Sequence, residues 1–192
     1  GNAPEINIQQ LHDELRTLLT AICYGDYLQQ HVPESLRVLR DIALSGNGEP
    51  TTSPQFLTVI HTLQQVLTEF SLLGKLPLVL VTNGSLLFRP NVQQAITQLA
   101  GLGGEVWFRL DRATQAGMAQ INDTQQTPEK VEHALLQCSQ LCRTWVQTSV
   151  FTLDHQPPEA SEVAAYLELL KRVLAQGGSL AGVLLYGLAR PS

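Results

Sequence analysis

The sequence predicts an α/β fold built on a parallel sheet of repeated βα units. Three observations lead there. Short, nearly continuous apolar runs alternate with longer amphipathic segments. The runs recur about every 30 to 40 residues, the length of a βα unit. Small and polar residues gather just after each run. Hydrophobicity on successive residues is what a strand covered on both faces shows, and five such units in succession make a parallel sheet, either open or curled into a barrel.

The chain opens on a helix, INIQQLHDELRTLLTAI (Ile6 to Ile22), joined by the irregular CYGDYLQQHVPE to the first strand candidate, SLRVLRDIALS. The strands LPLVLVTNG, GEVWFRLD, TWVQTSVFTL and LAGVLLYGLARP follow. Between them lie the helices SPQFLTVIHTLQQVLTEFSLL, NVQQAITQLAGL, TPEKVEHALLQCSQLC and PEASEVAAYLELLKRVLAQGG. Ser53, Asn91, Thr127 and Pro158 are their starters, and glycine follows the last turn of most. A leading helix normally follows a strand of its own, and no helix covers the last strand. Residues 1–192 therefore read as one domain cut from a longer protein at both ends, with a helix and connector over 1–37 and five units over 38–192.

Composition narrows the function. Of 192 residues 44% are hydrophobic, enough for a sizeable core. Only 15% are charged and the net charge is -5, with no basic stripe to neutralise phosphates, which argues against nucleic acid as a partner. No apolar run approaches the ~20 residues that cross a bilayer, and GNAPEINIQQ has no export signal, so no membrane partner and a cytoplasmic location are expected. The three cysteines, Cys23, Cys138 and Cys142, are odd in number and fit a reducing compartment.

In parallel α/β folds ligands sit at the carboxyl ends of the strands. Those ends are Ser45-Gly46-Asn47-Gly48-Glu49-Pro50-Thr51, Thr82-Asn83-Gly84-Ser85, Arg109-Leu110-Asp111, Gln147-Thr148-Ser149 and Tyr186-Gly187-Leu188-Ala189-Arg190. GNGEPT lacks the third glycine of a phosphate cradle, and Glu49 would oppose phosphates with no lysine nearby. A carboxylate on a stiff Gly-Glu-Pro turn suits a ligand cation, with flanking N–H groups left for the ligand's own carboxylate. A zwitterionic, amino-acid-like ligand meets both demands.

These residues carry a resemblance. SGNGEPT is similar to the Gly-Gly-Glu-Pro turn after the second strand of radical S-adenosylmethionine enzymes, and LVTNGSLL to their Thr-Asn-Gly turn after the third. VWFRLD resembles the strand ending in a Lys-Leu-Asp-type sequence, AQINDT the Ile-Asn segment that follows it, and VLLYGLARPS the late strand bordering the adenine. The match runs in order from about Asp41 to the end. The resemblance implies a partial six-stranded (β/α) barrel, TIM-like, that binds S-adenosylmethionine against a 4Fe-4S cluster and generates a 5'-deoxyadenosyl radical for hydrogen abstraction. It implies that Gly46, Gly48 and Glu49, with Asn47 and Pro50 in the same turn, hold the methionine amino group. Thr82 and Asn83 would line the pocket, Arg109 and Asp111 would reach the ribose or amino group, and Tyr186, Gly187 and Leu188 would flank adenine.

The chain departs from the family in lacking the CxxxCxxC cluster loop. Cys138 and Cys142 stand at a helix end feeding a strand start, the pole opposite the strand tips, so the cluster and its ligands are expected in the parent protein and this chain by itself is expected to be inactive. Asn47 is inserted in the turn, and Arg109 stands where the family more often has lysine. The alternative is a cluster-free module that binds a ligand or protein without chemistry. Glu49 also serves as a helix-start acid, Asn83-Gly84 as a tight turn and Asp111 as a cap of ATQAGMAQI in the plainer readings of each. Trp107 and Trp145 are expected in the core. His12, His61 and His133 fall on mixed helix faces without a ligand partner, His155 lies in a loop, and Ser45, Ser85 and Ser149 lack a triad arrangement. An edge left bare beside RVLRDIALS predicts a homodimer through that strand. The substrate is not legible.

Overall fold

The structure, a computed structural model, describes residues 5–46, 48–122, 124, 126–153 and 156–187. The first helix, α1 (Ile8–Cys23), begins where the Asn7 side chain accepts a hydrogen bond from the Gln10 N–H at 3.0 Å. A short α2 (Tyr27–His31) and a 3-10 turn over Glu34–Leu36 lead to β1 (Ile42–Leu44). The chain then runs through α3 (Phe56–Glu69), β2 (Leu78–Thr82), α4 (Pro90–Gly101), β3 (Glu105–Arg109), α5 (Gln115–Asn122), α6 (Pro128–Leu141), β4 (Arg143–Ser149), α7 (Ala160–Ala175) and β5 (Leu180–Tyr186). Thr127 caps α6 as expected, accepting from the Lys130 N–H. Ser53 does not cap α3; its hydroxyl accepts from the Gln55 N–H in the turn before the helix. Asn91 lies within α4, which starts on Pro90, where a missing N–H carries no penalty.

All five strands are parallel and their order is sequential, β1-β2-β3-β4-β5. The helices α1, α3, α4, α6 and α7 pack neighbour on neighbour in the order of the chain. Between helices and sheet lies the core, in which Leu80, Phe108 and Val146 from the strands meet Ile60, Ile96, Leu99, Leu135, Leu169 and Val173 from the helices, all without solvent exposure. Each such side chain contributes about 1.5–3 kcal/mol by leaving water.

The first strand is much shorter than SLRVLRDIALS. Ile42 pairs with Leu78, and its N–H reaches the Pro77 carbonyl at 3.1 Å. Before that point Pro77 offers no N–H, and among the described residues β1 has no second neighbour to pair with. The other face of the sheet departs from the expectation of strands covered on both sides. Register places Val81, Trp107, Trp145 and Gly182 in one row across it. Trp107 and Trp145 are therefore half-buried on this face and not in the core, because the residues between them in strand alternation, Val106, Phe108 and Val146, are the ones turned to the helices. Both indole N–H groups donate to Glu105, at 2.9 and 3.1 Å. At Gly182, with φ at 152°, a Cβ would lie 2.8 Å from the Trp145 ring, so glycine lets the indole lie against the strand. Among the described residues no helix is long and apolar enough to cross a membrane.

Candidate functional site

The turn after β1 carries the first site residue. Glu49 precedes the 3-10 turn Pro50–Thr52, with Pro50 fixing the backbone at its first position. The Glu49 Oε1 accepts from the Thr51 hydroxyl at 2.6 Å, from the Thr51 N–H at 3.2 Å and from the Thr82 hydroxyl at 2.7 Å. Its Oε2 accepts from the Asn83 N–H at 2.8 Å. One carboxylate thus ties the tip of β1 to the tip of β2. Oε1 is crowded with donors while Oε2 has one, which leaves it acceptor capacity for a ligand N–H. Thr51 and Thr82, which hold Oε1, are each 1% exposed, whereas Asn83, which holds Oε2, is exposed.

Beyond Thr82 the turn is built for close packing. The Gly84 N–H donates to the Thr82 hydroxyl at 3.1 Å, and the Ser85 N–H to the Asn83 side-chain oxygen at 2.9 Å. Gly84 has φ at 71°, and a Cβ there would come within 2.3 Å of the Phe108 ring. Its glycine is thus explained by the protein's own packing. Gly46 and Gly48 are different: neither has positive φ, a Cβ on either would meet nothing within 4 Å, and neither N–H finds a backbone partner among the described residues. Among the described residues neither close packing nor left-handed backbone requires glycine at these two positions. They open onto a cavity of about 380 Å³ lined by Ser45, Gly46, Gly48, Glu49, Val81, Thr82, Asn83 and Arg109.

A second cleft of about 280 Å³ shares Asn83 and Arg109 with the first and extends over Asp111, Arg112, Met118 and Asn122. Asp111 is 6% exposed and neither reaches out nor caps the following helix. Its Oδ1 accepts from the Ser149 N–H and its Oδ2 from the Asn122 side chain, both at 2.8 Å, with Arg109 Nη2 at 3.7 Å. It joins the tips of β3 and β4 to the end of α5. Glu162, from the first turn of α7, does the capping: its carboxylate accepts from the Ala113 N–H and from the N–H and hydroxyl of Thr114. In the sequence Glu162 reads only as an acid in a first turn, and a partner 48 residues away leaves no local signal.

The structure brings Gly46, Gly48, Glu49, Thr82, Asn83 and Arg109 around one cavity, with Pro50 behind Glu49 and Asp111 in the adjoining cleft. Tyr186 pairs with Ser149 at the end of β5, two strands from β3, and lines neither cavity; Gly187 follows it, exposed. Asn47, His155 and Leu188 lie outside the described residues.

The thiols do not fit an iron-sulfur cluster. Cys138 is 0% exposed and Cys142 is 6% exposed, where helix α6 feeds β4, at the pole opposite the strand tips. Burial pushes the Cys138 thiol up to about 12 and the Cys142 thiol up to about 11, so both stay protonated. The Cys142 S–H donates to the Gly104 carbonyl at 3.3 Å, and Cys23 is exposed at the end of α1. Among the described residues no three His, Cys, Asp or Glu side chains converge. Neither a family model nor a curated protein matches the chain.

Proposed function

We propose that the chain is the S-adenosylmethionine-binding core of a radical S-adenosylmethionine enzyme, its sequential parallel strands forming part of a (β/α) barrel. The observation that carries the reading is the Glu49 carboxylate, fixed across two strand tips and bordered by two glycines whose Cβ positions stand open toward the cavity. Glu49 Oε2 holds the ammonium of the ligand. The N–H groups of Gly46 and Gly48 receive its carboxylate, and the side chains of Asn83 and Arg109 close the far wall. Bound with a reduced cluster, S-adenosylmethionine supplies hydrogen-atom abstraction from a substrate. The cysteines of this chain do not supply that cluster's ligands, so its own residues bind and orient the ligand and no more.

The test is a titration of S-adenosylmethionine into the chain followed by amide NMR. Saturable shifts centred on Gly46, Gly48 and Asn83 are expected. Glu49→Ala should weaken binding roughly ten- to hundred-fold, as loss of a charge-assisted hydrogen bond of about 1.5–3 kcal/mol implies, with Glu49→Gln between the two. Equal affinity in all three proteins overturns the reading. The burial of Cys138 and Cys142 favours a second reading for the chain as it stands, a binding module without chemistry. Both readings predict that anaerobic treatment with iron and sulfide leaves no stable cluster on this chain, and a full complement of iron and sulfide per chain contradicts both; the two part in the parent protein, where cysteines spaced CxxxCxxC upstream of this stretch favour the first.

A further inference from the structure

Glu49 is held by more donors than its place in the turn requires. A residue that opens a helical turn needs to accept one backbone N–H, and the Thr51 N–H fills that role at 3.2 Å. The same oxygen, Oε1, also takes the Thr51 hydroxyl at 2.6 Å and, from 33 positions away, the Thr82 hydroxyl at 2.7 Å. The Thr82 bond has only one direction. Its oxygen already accepts from the buried Gly84 N–H at 3.1 Å and an ionised carboxylate offers no proton, so the one hydroxyl hydrogen goes to Oε1.

Three donors thus meet on one oxygen, and both threonines that supply them are buried. Oε2 accepts from the Asn83 N–H, on an exposed residue, at 2.8 Å. The two oxygens therefore have different tasks: Oε1 fixes the carboxylate, and Oε2 is the one with acceptor capacity to spare.

We propose that Thr51 and Thr82 are positioning residues. Their hydroxyls are committed to Oε1 and are not ligand contacts; they hold the carboxylate so that Glu49 meets a ligand ammonium through Oε2 alone, already oriented before the ligand arrives. A carboxylate fixed in advance loses no side-chain freedom on binding, which favours affinity. The proposal rests on the S-adenosylmethionine reading for the identity of the ligand, while the clamp on Glu49 stands without it.

The first arm of the test uses the ligand-free chain. Thr51→Val keeps the side-chain shape and drops one hydroxyl, and Thr51 makes no hydrogen bond to the turn after β2, so its route to the Asn83 N–H is the Glu49 carboxylate. The variant should displace the Asn83 amide resonance in NMR, and the same substitution in a Glu49→Ala chain should not. An Asn83 amide that stays in place in Thr51→Val, or that moves equally in the Glu49→Ala chain, overturns the proposal. The second arm is calorimetric titration of S-adenosylmethionine. Thr82→Val should weaken binding by roughly tenfold, and Thr82→Ser, which keeps the hydroxyl, should recover most of it. Wild-type affinity in Thr82→Val, or no recovery in Thr82→Ser, also overturns the proposal. Should Thr82→Val fail to fold because the Gly84 N–H loses its acceptor, Thr51→Val, with Thr51→Ser as its rescue, takes its place. A wild-type chain that does not bind S-adenosylmethionine sinks the ligand reading alone, and the first arm then decides the positioning.

Discussion

At the scale of single residues, position decides what a side chain can do. Cys138 and Cys142 are CxxxC in sequence, yet packing under α6 makes them two small core residues. Their folded values near 12 and 11 lie above the ordinary 9.0. A group whose value is raised by folding stabilises the fold below its unfolded value and loses that contribution as pH rises toward the folded one. Stability should therefore be flat in this respect below about pH 9 and fall between about pH 9 and 12, measurable as a declining urea midpoint that is blunted in Cys138→Ala. In the native state a thiol reagent should label one cysteine fast, Cys23, and the other two only on unfolding; three fast thiols would contradict the packing. The position of these thiols was legible beforehand, from their place between a helix and a strand start. That of Trp107 and Trp145 was not, because an aromatic at a strand position reads as core until register shows which face it takes.

At the scale of elements, strands and long helices were legible and the short pieces were not. β2, β3 and β5 fall within their apolar runs and α3, α6 and α7 within their amphipathic ones, while β4 and α4 each begin one residue before theirs, at Arg143 and Pro90, since period and burial agree there. α5 is only eight residues long and depends on a cap from another element. Glu162 satisfies its opening N–H groups and closes on Gly117, where a Cβ would lie 2.4 Å from the carboxylate. Glu162→Ala should therefore destabilise the chain by about 1–3 kcal/mol, through an unsatisfied helix start. Amide exchange over Gln115–Asn122 should speed up more than over α6. Unchanged exchange in α5 would show that Met118 packing alone holds it. The consequence reaches the site, because α5 supplies Asn122, one of the two anchors of Asp111.

At the scale of the whole molecule, the sequential parallel order places the tips of β1, β2 and β3 side by side, and this adjacency makes one cavity from residues more than 60 positions apart, Gly46 to Arg109. The gathering of small and polar residues at strand ends foretold that cavity. It did not foretell that Asp111 would turn inward or that Tyr186, two strands further on, would stand apart from it, since which tips converge depends on how the sheet is laid out. The central claim is that Gly46 and Gly48 are glycine for a ligand and not for the fold. The most direct measurement is calorimetric titration of S-adenosylmethionine into wild type and Gly48→Val, alongside their urea midpoints. A Cβ at this position meets nothing within 4 Å, so the midpoints should agree to within about 0.5 kcal/mol. Binding should be saturable in wild type and lost in the variant. Wild-type affinity retained in Gly48→Val would contradict the account.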